Sequence, residues 1–150
     1  YGSNTADFDL GYQHAELAVR RDHWTVAVAG ERLEGDDARG FTTPLATLHA
    51  FQGWADVFLT TPVDGVRDLN ASVAYSTEPW RGGQPVTFTL RAHDFTDDGG
   101  EVDFGSEFDA SVRFGLSEHV SLEAKAAAFD GEDPRFADRT KLWLTLEYRY

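Results

Sequence analysis

Cysteine is absent from the 150 residues. That removes a disulfide framework, a thiolate nucleophile and any cysteine-ligated metal centre. Positive charge is scarce as well: 13 Lys and Arg stand against 26 Asp and Glu, a net charge of -13. A nucleic-acid partner needs a basic face to neutralise phosphates, so this balance argues against one. No apolar run approaches the roughly 18 residues of a membrane helix, although membrane strands alternate and leave no such run. The sequence has no Gly-x-Ser-x-Gly elbow, no His-Glu-x-x-His pair and no phosphate-binding loop, and its five histidines are scattered. It starts at Tyr1 without a recognisable signal peptide, and so reads as a processed product or a part of a longer protein.

Strict alternation is what the chain has in quantity. In the last ten residues Leu142, Leu144, Leu146, Tyr148 and Tyr150 share one phase, while Lys141, Thr145, Glu147 and Arg149 share the other. Successive strand side chains point to opposite faces, so this is a strand with one apolar and one charged face. The same pattern marks residues 6–20, 24–32, 67–76, 86–95, 103–115 and 119–129. In the first of these the apolar phase changes between Tyr12 and Ala15, which predicts a β-bulge near Gly11 to His14. Seven strands are expected, joined as a meander. Connections near 21–23, 77–85 and 116–118 are short, and those at 34–66, 96–102 and 130–138 are longer and acidic. Alternating short and long connections, with aromatics gathered at both ends of the strands, fit an antiparallel up-and-down transmembrane β-barrel. Trp24, Tyr75, Phe114, Tyr148 and Tyr150 would form one girdle, and Phe95, Phe104 and Phe129 the other. Bacterial single-chain barrels have even strand numbers and tolerate no open edges. The seven strands therefore read as one domain, residues 1–150, that is the C-terminal portion of a larger barrel. The remaining strands would come from the same or another chain. Within the long loop 34–66, Pro44 followed by Leu45, Leu48, Phe51 or Gln52, Ala55 and Phe58 predicts a short helix, weakened by Gly53.

The run from Gly40 through Pro44, Phe51, Gly53 and Trp54 to Phe58 resembles the long-loop signature of proteobacterial outer-membrane porins of the alginate-export-like family. His93-Asp94-Phe95, Asp103-Phe104-Gly105-Ser106-Glu107-Phe108-Asp109 and the ending from Thr140 to a terminal aromatic resemble that family too. The resemblance runs from about residue 6 onward and covers only the C-terminal part of such porins. It implies a Gram-negative outer-membrane location and passive passage of ions or small hydrophilic solutes, with polysaccharide export as the family name suggests. It also implies contact with membrane lipid and lipopolysaccharide, and a C-terminal strand read by the barrel-assembly machinery. No catalysis is expected. Two alternatives stand beside it: a complete eight-stranded outer-membrane barrel acting as an adhesin or lipid-modifying enzyme, and a soluble lipocalin-like binding barrel with its apolar faces turned inward.

In a barrel the polar phase lines the lumen. Arg91, Glu107, Asp109, Arg113, Glu123, Lys125, Glu147 and Arg149 are the expected pore-lining set, with Asp68 and Lys141 beside them. Such mixed signs serve either an aqueous path or cross-strand ion-pair ladders. His49, Trp54 and Asp56 on the long loop would meet solute if that loop folds inward. No cofactor is expected. Asp97, Asp98 and Glu101 form a weak carboxylate cluster for a divalent cation such as calcium, without EF-hand spacing. His119-Val120-Ser121 with Glu123 has the residue types of a small hydrolase site, on one strand face beside a tight turn.

Overall fold

In a computed structural model, which describes residues 9–43, 52–79 and 84–150, the alternating segments form seven strands. They are β1 (Tyr12–Arg21), β2 (Trp24–Leu33), β3 (Val66–Ser76), β4 (Val86–Thr96), β5 (Asp103–Gly115), β6 (Val120–Gly131) and β7 (Arg139–Tyr148). Each pairs antiparallel with the next, and the spatial order is the chain order. The strand expectations therefore hold to within a few residues at most ends. The bulge near Gly11 does not form: β1 begins at Tyr12 and runs in unbroken register to Arg21. The one register shift lies between Phe95 and Thr96, opposite Gly105. Gly105 has φ 128, and a Cβ there would stand 2.2 Å from the Asp130 carbonyl oxygen, so only glycine fits.

The sheet is open. β1 and β7 lie at its two edges and make no contact with each other. In a meander of seven strands the first and the last run in the same direction, so these edges cannot join by the antiparallel pairing used everywhere else in the sheet. This corrects the expected transmembrane barrel, and with it the eight-stranded and lipocalin-like barrels. The porin and channel reading and the outer-membrane location rested on that closure. So did the partners drawn from it: bilayer lipid, lipopolysaccharide, assembly machinery and solutes crossing a lumen. All are withdrawn with it. No helix of the described residues is long and apolar enough to cross a membrane.

Alternation divides the sheet into two unlike faces. On one, the register aligns Glu31 with Asp68, Asn70 with His93, His93 with Glu107 and Arg91 with Asp109. The segment 52–65 lies over this face and builds the core there from Leu33, Ala55, Phe58, Val66, Phe95, Phe104, Ala127 and Phe129. Phe58 is the hub, with ring centroids 4.8 Å from Phe95, 5.9 Å from Phe104 and 5.0 Å from Phe136. Phe95, Phe104 and Phe129 are thus core, which corrects the girdle expected at that end. The other face carries Leu17, Val26, Phe88, Leu90, Phe108 and Leu144, and none of the described residues lies over it.

The expected short helix does not continue through residues 52–58. Residues 44–51 lie outside the described part, and 52–58 turn without a helix. Gln52, Gly53 and Asp56 all have positive φ, at 56°, 80° and 56°, which no right-handed helix admits. Phe95 is fully buried between the Phe58 and His93 rings. Phe95→Ala is therefore expected to lower unfolding free energy by about 3–5 kcal/mol, the usual cost of emptying a core phenyl site. Leu116→Ala, on an exposed turn, should change it by less than about 0.5 kcal/mol. Denaturant midpoints of the two variants give the comparison.

Candidate functional site

The loop-covered face gathers the titratable groups. His93, on the middle strand β4, has Nδ1 3.0 Å from both carboxylate oxygens of Asp68 on β3. Its Nε2 stands 3.5 Å from Asp109 Oδ2 on β5. The side chains of His93, Asp68 and Asp109 are at most 3% exposed. Glu107, one register step from Asp109 on the same face, is equally buried and accepts the Ala55 amide at 2.8 Å. Glu31 of β2 completes the group and accepts Gln52 Nε2 at 3.1 Å. Alternation explains why they meet: Glu31, Asp68, His93, Glu107 and Asp109 all belong to the phase that faces the loop.

Burial sets their proton affinities. It opposes a charged ring at His93, but the flanking carboxylates of Asp109 and Asp68 outweigh it and lift the imidazole to about 9. At Glu107, burial and then the adjoining Asp109 carboxyl raise the carboxyl to about 8, against the pull of the Ala55 amide and His93. Burial likewise raises Glu31. Neither oxygen of Asp109 has a hydrogen-bond partner within the distance and angle limits of an ordinary hydrogen bond. A protonated Glu107 supplies the donor that Asp109 lacks, which is how two neighbouring buried carboxyls avoid both being charged.

The loop is fixed to this face at three further points. Arg139 donates to the carbonyls of Ala55 and Asp56, at 3.3 and 2.6 Å. Lys141 reaches Asp56 Oδ2 at 2.6 Å. Lys125 lies 4.6 Å from the Trp54 ring centroid and 5.5 Å from that of Trp143. Gly53 makes the approach possible: it sits at φ 80, and a Cβ there would come within 2.6 Å of the Glu107 carboxyl. Trp54 and Asp56 therefore bind the loop to the sheet, and His49 lies outside the described residues.

The remaining candidates lie elsewhere on the sheet and its connections. Arg113 donates to Glu147 across β6 at 2.6 Å and to Ser121 Oγ at 3.0 Å, and Arg149 donates to the other Glu147 oxygen at 2.7 Å. This is the cross-strand ladder, and it holds Glu147 below the usual carboxylate range. Glu123 faces Arg113 in register, and Arg91 borders a cleft of about 140 Å³ with Glu31, Gln52, Asp68 and His93. Ser121 Oγ is engaged by Arg113 and Glu147, while the His119 ring lies against Tyr148 at 6.4 Å. Asp97 Oδ1 accepts the amides of Glu101 and Val102, at 2.6 and 2.8 Å. Asp98 accepts the Gly35 amide and stands 3.7 Å from Arg32. Among the described residues no group of three or more ligating side chains converges on a metal position.

Comparison with protein-family models, curated proteins and solved structures gave no match. The porin resemblance is corrected accordingly: its quoted residues are present, but they build a loop-clad open sheet. The described residues form an all-β unit with one polar face partly covered by residues 52–65 and one exposed apolar face.

Stability should follow the cluster's protons. Glu107 moves from an ordinary 4.5 to about 8 on folding, and His93 from 6.5 to about 9. Both bind protons more tightly in the folded state, so unfolding releases protons and stability falls as pH rises. The His93 contribution is complete below pH 6.5 and lost by about 9, and the Glu107 loss spans 4.5 to about 8. The melting temperature is expected to fall most steeply between pH 6.5 and 8, where the two overlap. Glu107→Gln keeps an acceptor for Ala55 and a donor for Asp109, and should flatten the profile below pH 6.5. An unchanged slope in that variant would refute the assignment.

Proposed function

We propose that this chain is a non-catalytic binding module whose apolar sheet face docks on an apolar partner surface. The observation that carries this reading is the bare face itself. Its most exposed large side chains include Phe108 at 53%, Leu144 at 75% and Leu142 at 78%, while Val73, Tyr75, Val112 and Leu122 on the same face are half-buried. Across three successive rows of the register it holds no charge between β2 and β7: Val28 to Thr140, Val26 to Leu142, and Trp24 to Leu144. Exposed apolar side chain on this face is on the order of 1,000 Å², where an ordinary monomer's largest patch is about 300–600 Å² and one side of a stable interface about 800 Å².

Hydroxyl-radical footprinting of the full chain tests the docking face. Phe88, Leu90, Phe108 and Leu144 should label several-fold more slowly than Leu59 and Leu116, which are 60% and 58% exposed away from that face. Labelling of the face at the rate of these two controls would overturn the reading.

A further inference from the structure

Independently of the docking face, we infer that the open edge at β1 pairs with β1 of a second copy, antiparallel and centred on Ala18. All ten residues of β1 are exposed, and no described strand lies along its outer side. The Glu34 amide donates to the Gly11 carbonyl at 3.1 Å, so Gly11 and Glu34 are a hydrogen-bonded pair at the end of the β1–β2 ladder. Such pairs alternate along an antiparallel ladder. Gln13, Ala15, Leu17, Val19 and Arg21 therefore bond to β2, while His14, Glu16, Ala18 and Arg20 turn their N–H and C=O groups to the open edge. A strand edge of this kind is a template for a further strand. A like edge meets it antiparallel through a two-fold axis normal to the sheet, which keeps the polar and apolar faces of both copies on the same sides.

The residues of β1 are self-complementary about Ala18. Glu16 and Arg20 stand either side of it on the polar face, and Leu17 and Val19 either side on the apolar face. The axis sets Glu16 of each copy on Arg20 of the other and Leu17 on Val19, with Ala18 on its own copy. Opposite charges directly across a ladder are favourable, and like charges are not. Glu16 has no ion-pair partner among the described residues, and Arg20 reaches Thr25 Oγ1 at 3.3 Å, so both can take part. Leu17 and Val19 are 68% and 63% exposed. They meet in the rows without hydrogen bonds, where facing side chains are closest. Further out, His14 comes opposite Asp22 and Ala15 opposite Arg21, so no like charges face each other.

Moving the axis along the strand loses this match. Centred on Leu17, Glu16 falls on Ala18 and Arg20 on His14. Centred on Val19, Glu16 falls on Asp22, acid on acid. The opposite edge of the sheet offers no comparable selection. On β7, Arg139 and Lys141 hold the loop, and Glu147 is held by Arg113 and Arg149. Of the two edges, β1 is the one that leaves charges of both signs at mutually matching heights.

The test is sedimentation equilibrium of the full chain without detergent over a range of concentrations. The mass should rise toward twice the 16.7 kDa of one chain. Ala18→Pro removes an N–H that points away from β2, so it blocks the edge while β1 keeps its bonds to β2. That variant should stay monomeric with a melting temperature close to the native one. Glu16→Arg sets like charges on both sides of the axis and should raise the dimer dissociation constant about tenfold. Adding Arg20→Glu to it should restore the native value. The native chain has no cysteine, and Cα atoms facing in a hydrogen-bonded pair lie about 5.5 Å apart, within disulfide reach. Ala18→Cys should therefore give a covalent dimer on mild oxidation. A native chain that stays monomeric at every concentration would overturn the pairing. So would a dimer that survives Ala18→Pro, or one that the paired charge reversal does not restore. The edge and the docking face are separate surfaces, so Ala18→Pro should leave the labelling of Phe88, Leu90 and Leu144 at its native rate. Free labelling of that face in a chain that still dimerises through Ala18 overturns the docking reading and supports the edge pairing.

Discussion

The bond from the Ala55 amide to Glu107 Oε1 ties the loop to the sheet, and most of the structure depends on it. Glu107 stands at the centre of β5, where side chains of its phase would face water if nothing covered them. With Ala55 held there, Phe58 is brought onto Phe95, Phe104 and Phe129, and the core forms on the face that carries the charges. Gly53 sets how closely the backbone passes, and Arg139 and Lys141 hold the far side of the turn. A sheet that would otherwise bury nothing thereby gains a hydrophobic core along one half of one face.

This arrangement has an electrostatic cost, and the protein meets it by sharing protons. Moving carboxylates out of water is strongly unfavourable unless they are paired or neutralised. Four carboxyls and one imidazole are buried beside the loop, in Glu31, Asp68, Glu107, Asp109 and His93. A charged His93 between Asp68 and Asp109, with Glu107 keeping its proton, leaves far less uncompensated charge than full ionisation would. The proton on Glu107 also supplies a donor to Asp109. The pH response and the loop anchorage are therefore consequences of one cluster.

Much of the architecture was legible in the residues. Glu107, Asp109, Ser111 and Arg113 against Phe108, Ala110, Val112 and Phe114 fixed both the extent of β5 and its two faces, because period-two alternation has one structural meaning. The site was legible only in part. Alternation put Arg91, Glu107 and Asp109 on one face, but it cannot tell a lumen from a face covered by the chain's own loop. Gly53 read as a weakness in a helix, whereas its positive φ and its approach to Glu107 are the reason it suits that position. Phe95, Phe104 and Phe129 read as a rim, since nothing local announces that Phe58 will reach them from a connection nearly forty residues before Phe95. Closure was the least legible property: the same strands serve a barrel or an open sheet, and the difference lies in whether the edges meet.

The bare face follows from the same division of phases. Residues 52–65 cover part of the charged phase, and no described element of this chain lies over the apolar phase. Its composition is also uneven along the strands. The three rows from Val28, Val26 and Trp24 carry no charge between β2 and β7, and Arg32, Arg67, Asp94 and Asp130 all lie beyond them at one end of the strands. The division into a charged and an apolar phase across the sheet is thus joined by a second one along it.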